Sequence, residues 1–456
     1  MKRYVITSYI PNSKVDDAFI RTLIAYCKRT DAKLLISQTQ PNYREDIEND
    51  RSNFLSSLKS NNPGLVNIVK ENQSLNDNIM ISQVKVNVNL TDPVSGLEGI
   101  AARQGSLIIP YPRQRAKMVP RMLKENRAPR GIWCTGTVSE PYYKDTKSGS
   151  RMAEFHLKGA LIVEILNKSY FNVRQLQWDE QSKGFYDLTT FYSGAKKVVE
   201  VIKNVPIEAL SLGDDHAVFL NRKIVEKTKQ LIKQLSPKKI YHHDTLDCAS
   251  ISHHVQYKHI TKALINMTLT EEIKVTSDYL KEMIASSKAE HYLVASNHVE
   301  HLDKYLEEAR YVNDTFNHII GLELALAKAK GHNPLEWALN RIHKLERFNV
   351  MTRKDTMKVC GYEMLCHGDY GSNGSRGNAK DVGLVYAGKV VTGHSHSPEI
   401  SVYNNPVNGT MTDLNLPYTN DSAGSKWFWT HTIIYKNGTF SQIALLPDDI
   451  YKDKQE

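Results

Sequence analysis

Apolar and polar positions along this chain follow two periods. Residues 3–8 form a short apolar run that predicts a strand, and residues 32–36 form another. Between them Phe19, Leu23, Ile24 and Tyr26 recur at helical spacing over residues 16–30. A β-α-β opening of this kind calls for a parallel strand pair joined by a crossover helix. Residues 38–80 are polar and rich in Asn and Ser, which predicts loop with short helices. Val84, Val86 and Val88 alternate within 80–90 and predict a strand. Residues 155–165 predict a buried strand, and 172–192 a hairpin turning at 181–184.

After residue 200 strands and helices alternate. Strand 207–212 precedes a helix over 222–234, which Ser236-Pro237 stops. Strand 239–241 follows, then helices within 257–287, strand 291–295 and helices over 299–332. Asn333-Pro334 opens a further helix to 345. Short strands are expected near 357–366, 383–386 and 389–392. Residues 427–435 and 440–446 pair across Asn437-Gly438, a strong hairpin signal. The pattern predicts an α/β protein of two domains, 1–200 and 201–456, with the boundary at 196–206.

Candidate chemistry falls at the ends of the strands in the second part. Asp214-Asp215-His216 follows strand 207–212, and His243-Asp244 follows 239–241. Asn297-His298 follows 291–295, His367 follows 364–366, and His394-Ser395-His396 follows 389–391. Ligands at the carboxyl ends of strands converge on one edge of an α/β sheet. One His after a strand is ordinarily a satisfied polar residue. Five clusters in the same context point to divalent cations.

The ordered set resembles the calcineurin-like metallophosphoesterases, whose motifs run D-x-H, G-D, G-N-H-D/E, a lone His and G-H-x-H. The resemblance covers about residues 205–445 and implies a β-sandwich flanked by helices. It implies that Asp214, His216 and His396 hold one metal ion, and Asn297, His367 and His394 a second. Asp244 would bridge the two, and His298 would be the general acid. Two cations roughly 3.5–4 Å apart suit in-line displacement at phosphorus. A mixed N/O ligand set suits manganese, zinc or iron better than magnesium, and the resemblance favours manganese. The chain departs from the motifs at three places: His243 and Ser296 replace glycines, and Val299 replaces the acid after His298. Glu300 and Asp303 are the nearest acids that could orient His298 instead.

Charge sharpens the expected substrate. Residues 1–200 hold 29 Lys+Arg against 20 Asp+Glu, so the whole net charge of +9 lies there. Arg113, Arg115, Lys117 and Arg121 stand in its most basic stretch. Such a stretch fits a phosphate backbone. A solvated basic face, or a contact in a homo-oligomer, fits it as well. His253 and Arg376 follow metal motifs and are further candidates for substrate phosphate. There is no glycine-rich nucleotide fingerprint in this part. The apolar runs are too short to span a bilayer. Five scattered cysteines without a C-x-x-C pair predict reduced thiols and a cytoplasmic setting.

Within the superfamily the chain is similar to DNA-repair exonucleases and to phage-encoded DNases that degrade host DNA. The resemblance implies a metal-dependent nuclease acting on DNA in the host cytoplasm, with the basic N-terminal part binding DNA or directing assembly. Two other readings use the same residues. One is a small-substrate phosphoesterase, such as a nucleotidase, cyclic-nucleotide phosphodiesterase or protein phosphatase. The other is a DNA-binding or assembly protein with a degenerate site.

Overall fold

The computed structural model describes residues 1–40, 54–122, 130–252, 266–370, 388–414, 416 and 424–447. The protein is a mixed α/β structure with several sheets. His253, Arg376 and the strand expected at 383–386 lie outside the described residues, as does most of 257–268.

A six-stranded sheet organises the second part. Its order is Phe348–Val350, Glu290–Val294, Lys239–His243, Ala209–Ser211, Thr430–Ile434, Phe440–Ala444. The first four strands are parallel and the last two antiparallel. The hairpin turn at Asn437-Gly438 closes the final pair, with Gly438 in the left-handed region at φ 74°. Helix Arg222–Leu235 crosses between the first two strands of the chain order. Asn221 caps it by accepting from the amides of Lys223 and Ile224, and Ser236 ends it in a left-handed turn before Pro237. Ile224, Val225, Leu231, Ile232 and Leu235 form its buried face. A capping box of Thr268 and Glu271 starts helix Leu269–Ala285.

The opening β-α-β unit forms as the pattern predicts. Strands Lys2–Tyr9 and Ala32–Gln38 are parallel around helix Asp17–Thr30. They sit in a five-stranded sheet with Val66–Val69, Gly159–Ile165 and Phe171–Gln177. Expectations change in detail: 357–366 forms only the two-residue strands Lys358–Val359 and Tyr362–Glu363, and 389–392 only isolated bridges at Val390 and Thr392. The strand expected over 80–90 is confined to Ile79–Ile81, after which Val86, Val88 and Val94 are buried from irregular backbone. The expected 172–192 hairpin divides: Phe171–Gln177 pairs with Gly159–Ile165, and Gly184–Asp187 pairs with Thr190–Ser193.

Strands from both sides of residue 200 share a seven-stranded sheet. Ala116–Met118 pairs on one side with Gly131–Cys134 and on the other with Glu399–Ile400. Gly424–Ser425 pairs with Arg121–Met122. The main-chain amide of Gln442 donates to Gln175 Oε1 at 2.8 Å, and that of Phe440 to Gln177 Oε1 at 3.2 Å. One apolar core runs from Ile6, Leu35 and Leu161 to Leu210, Ile240 and Leu293. Two smaller cores, around Phe19 and around Ile109, belong to the first part.

Candidate metal centre

Three parallel strands end side by side and set the expected ligands along one edge. Asp214 follows Ala209–Ser211, Asp244 follows Lys239–His243, and Asn297 follows Glu290–Val294. The ladder continues beyond the strands. The amides of Asp215, His216 and Ala217 donate to the carbonyls of His243, Asp244 and Thr245 at 2.8, 2.9 and 3.0 Å. Gly393 N donates to His367 O at 2.9 Å, which joins the last two clusters. Four of these residues have left-handed backbone: His216 (φ 46°), Asp244 (52°), His394 (68°) and His396 (55°). That conformation is costly for a residue with a Cβ and concentrates at functional sites. Gly393 has no room for a Cβ at all, since one would lie 2.1 Å from Asp214 Oδ1.

The side chains meet in the interior. Asp214, His216, Asp244, His367 and His396 are all at most 5% exposed. His216 Nε2 lies 2.8 Å from His396 Nε2, and His396 Nε2 lies 3.1 Å from Asp214 Oδ2. Asp244 Oδ2 is 3.6 Å from His216 Nε2, 3.4 Å from His367 Nε2 and 3.7 Å from His298 Nε2. The His394 ring stands 5.2 Å from that of His367, centroid to centroid. Ligand atoms around one cation with bonds of about 2.1 Å are separated by roughly 3.0–3.4 Å. The ligand atoms of Asp214, His216, Asp244 and His396 lie within 4.8 Å of one another, and so do those of Asp214, His243 and His367.

The donor set fits divalent cations. Both carboxylate oxygens of Asp214, Oδ1 of Asp244, Oδ1 of Asn297, both ring nitrogens of His367 and Nδ1 of His396 are buried without a hydrogen bond. Buried polar atoms are rarely left so, and all seven belong to residues of the expected ligand set. Acidic groups also gather at Asp16, Glu140 and Glu180. There the ammonium of Lys158 bonds to all three carboxylates and serves as their cation.

Charge at the centre is strongly coupled. Burial raises the Asp214 carboxyl, but contact with His396 and the nearby His367 outweigh it and hold it at about 2. Burial pushes the His216 imidazole down, while the carboxylates of Asp247 and Asp244 lift it to about 9. The same contest at His298 ends at about 10, with Asp244 and Asp247 outweighing burial. His394 and His396 are lowered, chiefly by burial.

Asp247 is the residue that sequence reasoning missed. Its Oδ1 lies 2.6 Å from His216 Nδ1 and 3.4 Å from His298 Nδ1, and its backbone carbonyl is 3.3 Å from that same His298 nitrogen. It therefore stands where the acid absent at Val299 was sought. Glu300 instead bonds to Arg353 and Tyr370, and Asp303 to Lys328. The available signal was its place three residues after Asp244. His242 points to the opposite side of its strand and bonds to Asp215 at 2.8 Å and His291 at 3.0 Å.

The expected substrate-binding arginines are placed in the interior. Arg113 is 1% exposed, donates to the carbonyls of Thr91 and Val402, and lies 4.8 Å over the Phe155 ring. Arg115 pairs with Asp92 and Glu399, both at 3.1 Å. Lys117 pairs with Glu98, and Arg121 is buried with its guanidinium over Phe428. Arg113, Arg115 and Arg121 join the first part of the chain to residues 399–428, while Lys117 is partly exposed and pairs within the first part. No helix among the described residues is long and apolar enough to cross a membrane.

Comparison with known proteins adds one relationship. No family model and no solved structure matches the chain. The chain is similar to a phage protein, Protein A1 of Escherichia phage T5, at 29% identity over 465 residues, covering 96% of this chain and 80% of that protein.

Proposed function

We propose that the protein is a metal-dependent DNase of calcineurin-like type, cleaving phosphodiester bonds at a two-metal centre, with manganese as the favoured ion. One observation carries the reading: Asp244 Oδ2 lies within 3.4–3.7 Å of nitrogens on three separate elements, those of His216, His367 and His298. A carboxylate so placed suits a bridge between cations. Asp214, His216 and His396 would hold one ion; Asn297, His367 and His394 the other. When bound, such ions neutralise phosphate charge and lower the pKa of water.

The protein's own groups do the rest. His298 is the partly exposed imidazole at the edge of the cluster, able to meet a substrate. The Asp247 carboxylate at its Nδ1 favours the protonated ring, from which it can donate a proton to the leaving oxygen. Asp247 fixes its ring orientation through Nδ1. A net charge of +9 favours a polyanionic substrate, and similarity to a phage protein fits a role in an infected cell.

The test is manganese-dependent cleavage of linear and circular double-stranded DNA, with Asp244→Ala and His298→Ala as controls. Cleavage lost in both variants supports the nuclease. Hydrolysis of a small phosphodiester with DNA left intact would refute it and point to a small-substrate phosphoesterase.

A further inference from the structure

His243 occupies the position where a glycine precedes the bridging carboxylate in the resembled motif, and it is fully buried at the end of strand Lys239–His243. Its side chain lies on the opposite strand face from His242, as alternation requires. A ring nitrogen of His243 lies within 4.8 Å of ligand atoms of both Asp214 and His367. The rings of His243 and His367 are 5.7 Å apart and near parallel. The main chain at Gly393 passes close above, so that a Cβ there would lie 3.2 Å from the His243 Cβ.

The two ring nitrogens differ. Nε2 is 3.1 Å from Ser211 Oγ, which also accepts from Asn408 Nδ2 at 2.7 Å. Asn408 is held in turn by Thr432, whose hydroxyl donates to its Oδ1 at 2.6 Å. Nδ1 is buried and has no hydrogen bond. A histidine that ligates a metal through one nitrogen typically anchors the other N–H on an oxygen. His243 is arranged in that way, with Ser211 as the anchor.

We propose that His243 is an additional nitrogen ligand of the metal centre, binding through Nδ1 beside His367 and Asp214. This rests on the two-metal reading above and adds a donor to it. An extra imidazole biases the centre toward manganese, iron, cobalt or zinc and away from magnesium. Ser211 is then a positioning residue, acting through Nε2.

The test is binding of Co2+ to metal-free, full-length protein, followed by calorimetry and by the visible spectrum of the bound ion. His243→Phe keeps a ring in place without a donor. It should bind one of its Co2+ ions about 10–100-fold more weakly than wild type, with an altered spectrum. Ser211→Ala keeps the ring and should give a smaller loss of the same sign. Unchanged affinities and spectra in His243→Phe would overturn the proposal. Should that variant not fold, unchanged binding by Ser211→Ala overturns it instead. Asp244→Ala separates the two readings. If it loses Co2+ while His243→Phe does not, the metal centre stands and only the extra ligand fails. If wild type binds no Co2+, both fail.

Discussion

Asp247 and His298 form an oriented pair, with the carboxylate Oδ1 3.4 Å from the imidazole Nδ1. The same oxygen is 2.6 Å from His216 Nδ1, so one acid supports a candidate ligand and the candidate proton donor. Removing its charge lowers the pKa of His298, which burial pushes down and the Asp247 carboxylate raises. The donor is active while protonated, so activity is lost as pH rises through this pKa. In Asp247→Asn that loss begins at lower pH, and the rate near neutrality falls by about 10–100-fold. A pH–rate profile checks this. An alkaline limb that stays in place in the variant would rule out the pairing as the tuning device.

Gly393 makes a second prediction. A methyl group at this position would lie 2.1 Å from Asp214 Oδ1 and 3.2 Å from the His243 Cβ. Gly393→Ala therefore pushes the loop bearing His394 and His396 away from Asp214. Metal affinity should fall at least about tenfold, and the rise in melting temperature on adding Mn2+ should shrink accordingly. A thermal melt with and without the ion reads this directly. An unaltered metal-induced shift would show that the loop accommodates the methyl group elsewhere.

Arg113 is predicted to act on stability and not on DNA binding. Its truncation leaves the carbonyls of Thr91 and Val402 without their donor. Each contact is a part-buried hydrogen bond from a charged donor, worth roughly 1.5–3 kcal/mol. Arg113→Ala should thus lower the denaturation midpoint clearly. The salt dependence of DNA binding, which counts phosphate contacts, should keep its slope. A slope reduced by about one unit per arginine would return Arg113 to the binding surface.

Acid sensitivity is predicted from His156. Burial holds this imidazole at about 4, below its ordinary 6.5. Its Nδ1 faces the Tyr143 hydroxyl at 2.7 Å and its Nε2 the Ser139 carbonyl at 2.8 Å. The folded pKa is depressed, so the neutral ring contributes stability above pH 6.5 that is lost as pH falls toward 4. Melting temperatures measured over that window should drop less steeply for His156→Gln than for wild type. Parallel curves would mean that His156 takes no part.

The candidate ligands Asp214, Asp244 and Asn297 were legible because each lies just past a strand, where the chain's apolar period itself announces the position; His394 and His396 follow only isolated bridges at Val390 and Thr392. Asp247 was not, since nothing in a turn tells which way a carboxylate faces until helix Leu269–Ala285 fixes it. Glu272 of that helix accepts from the amides of Ala249 and Ser250 at 2.9 and 2.6 Å, and so sets the turn. The placement of the arginines of 113–121 was not legible for a related reason. A run of like charges reads as solvated until strands from 399–425 cover it, and that pairing spans some 280 residues of chain, beyond any local pattern. Strand Ile79–Ile81 ended early because Val86 and Val88 bury themselves from irregular backbone, which alternation cannot distinguish from a strand.

The pairing of Ala116–Met118 with Glu399–Ile400 also orders events in time. During synthesis the first three hundred and more residues leave the ribosome with one flank of that strand bare. Its partner arrives directly behind His394 and His396, which complete the cluster around Asp214. Closure of the sheet and completion of the candidate cluster thus wait on the same stretch of chain. A chain that stops before residue 394 lacks both.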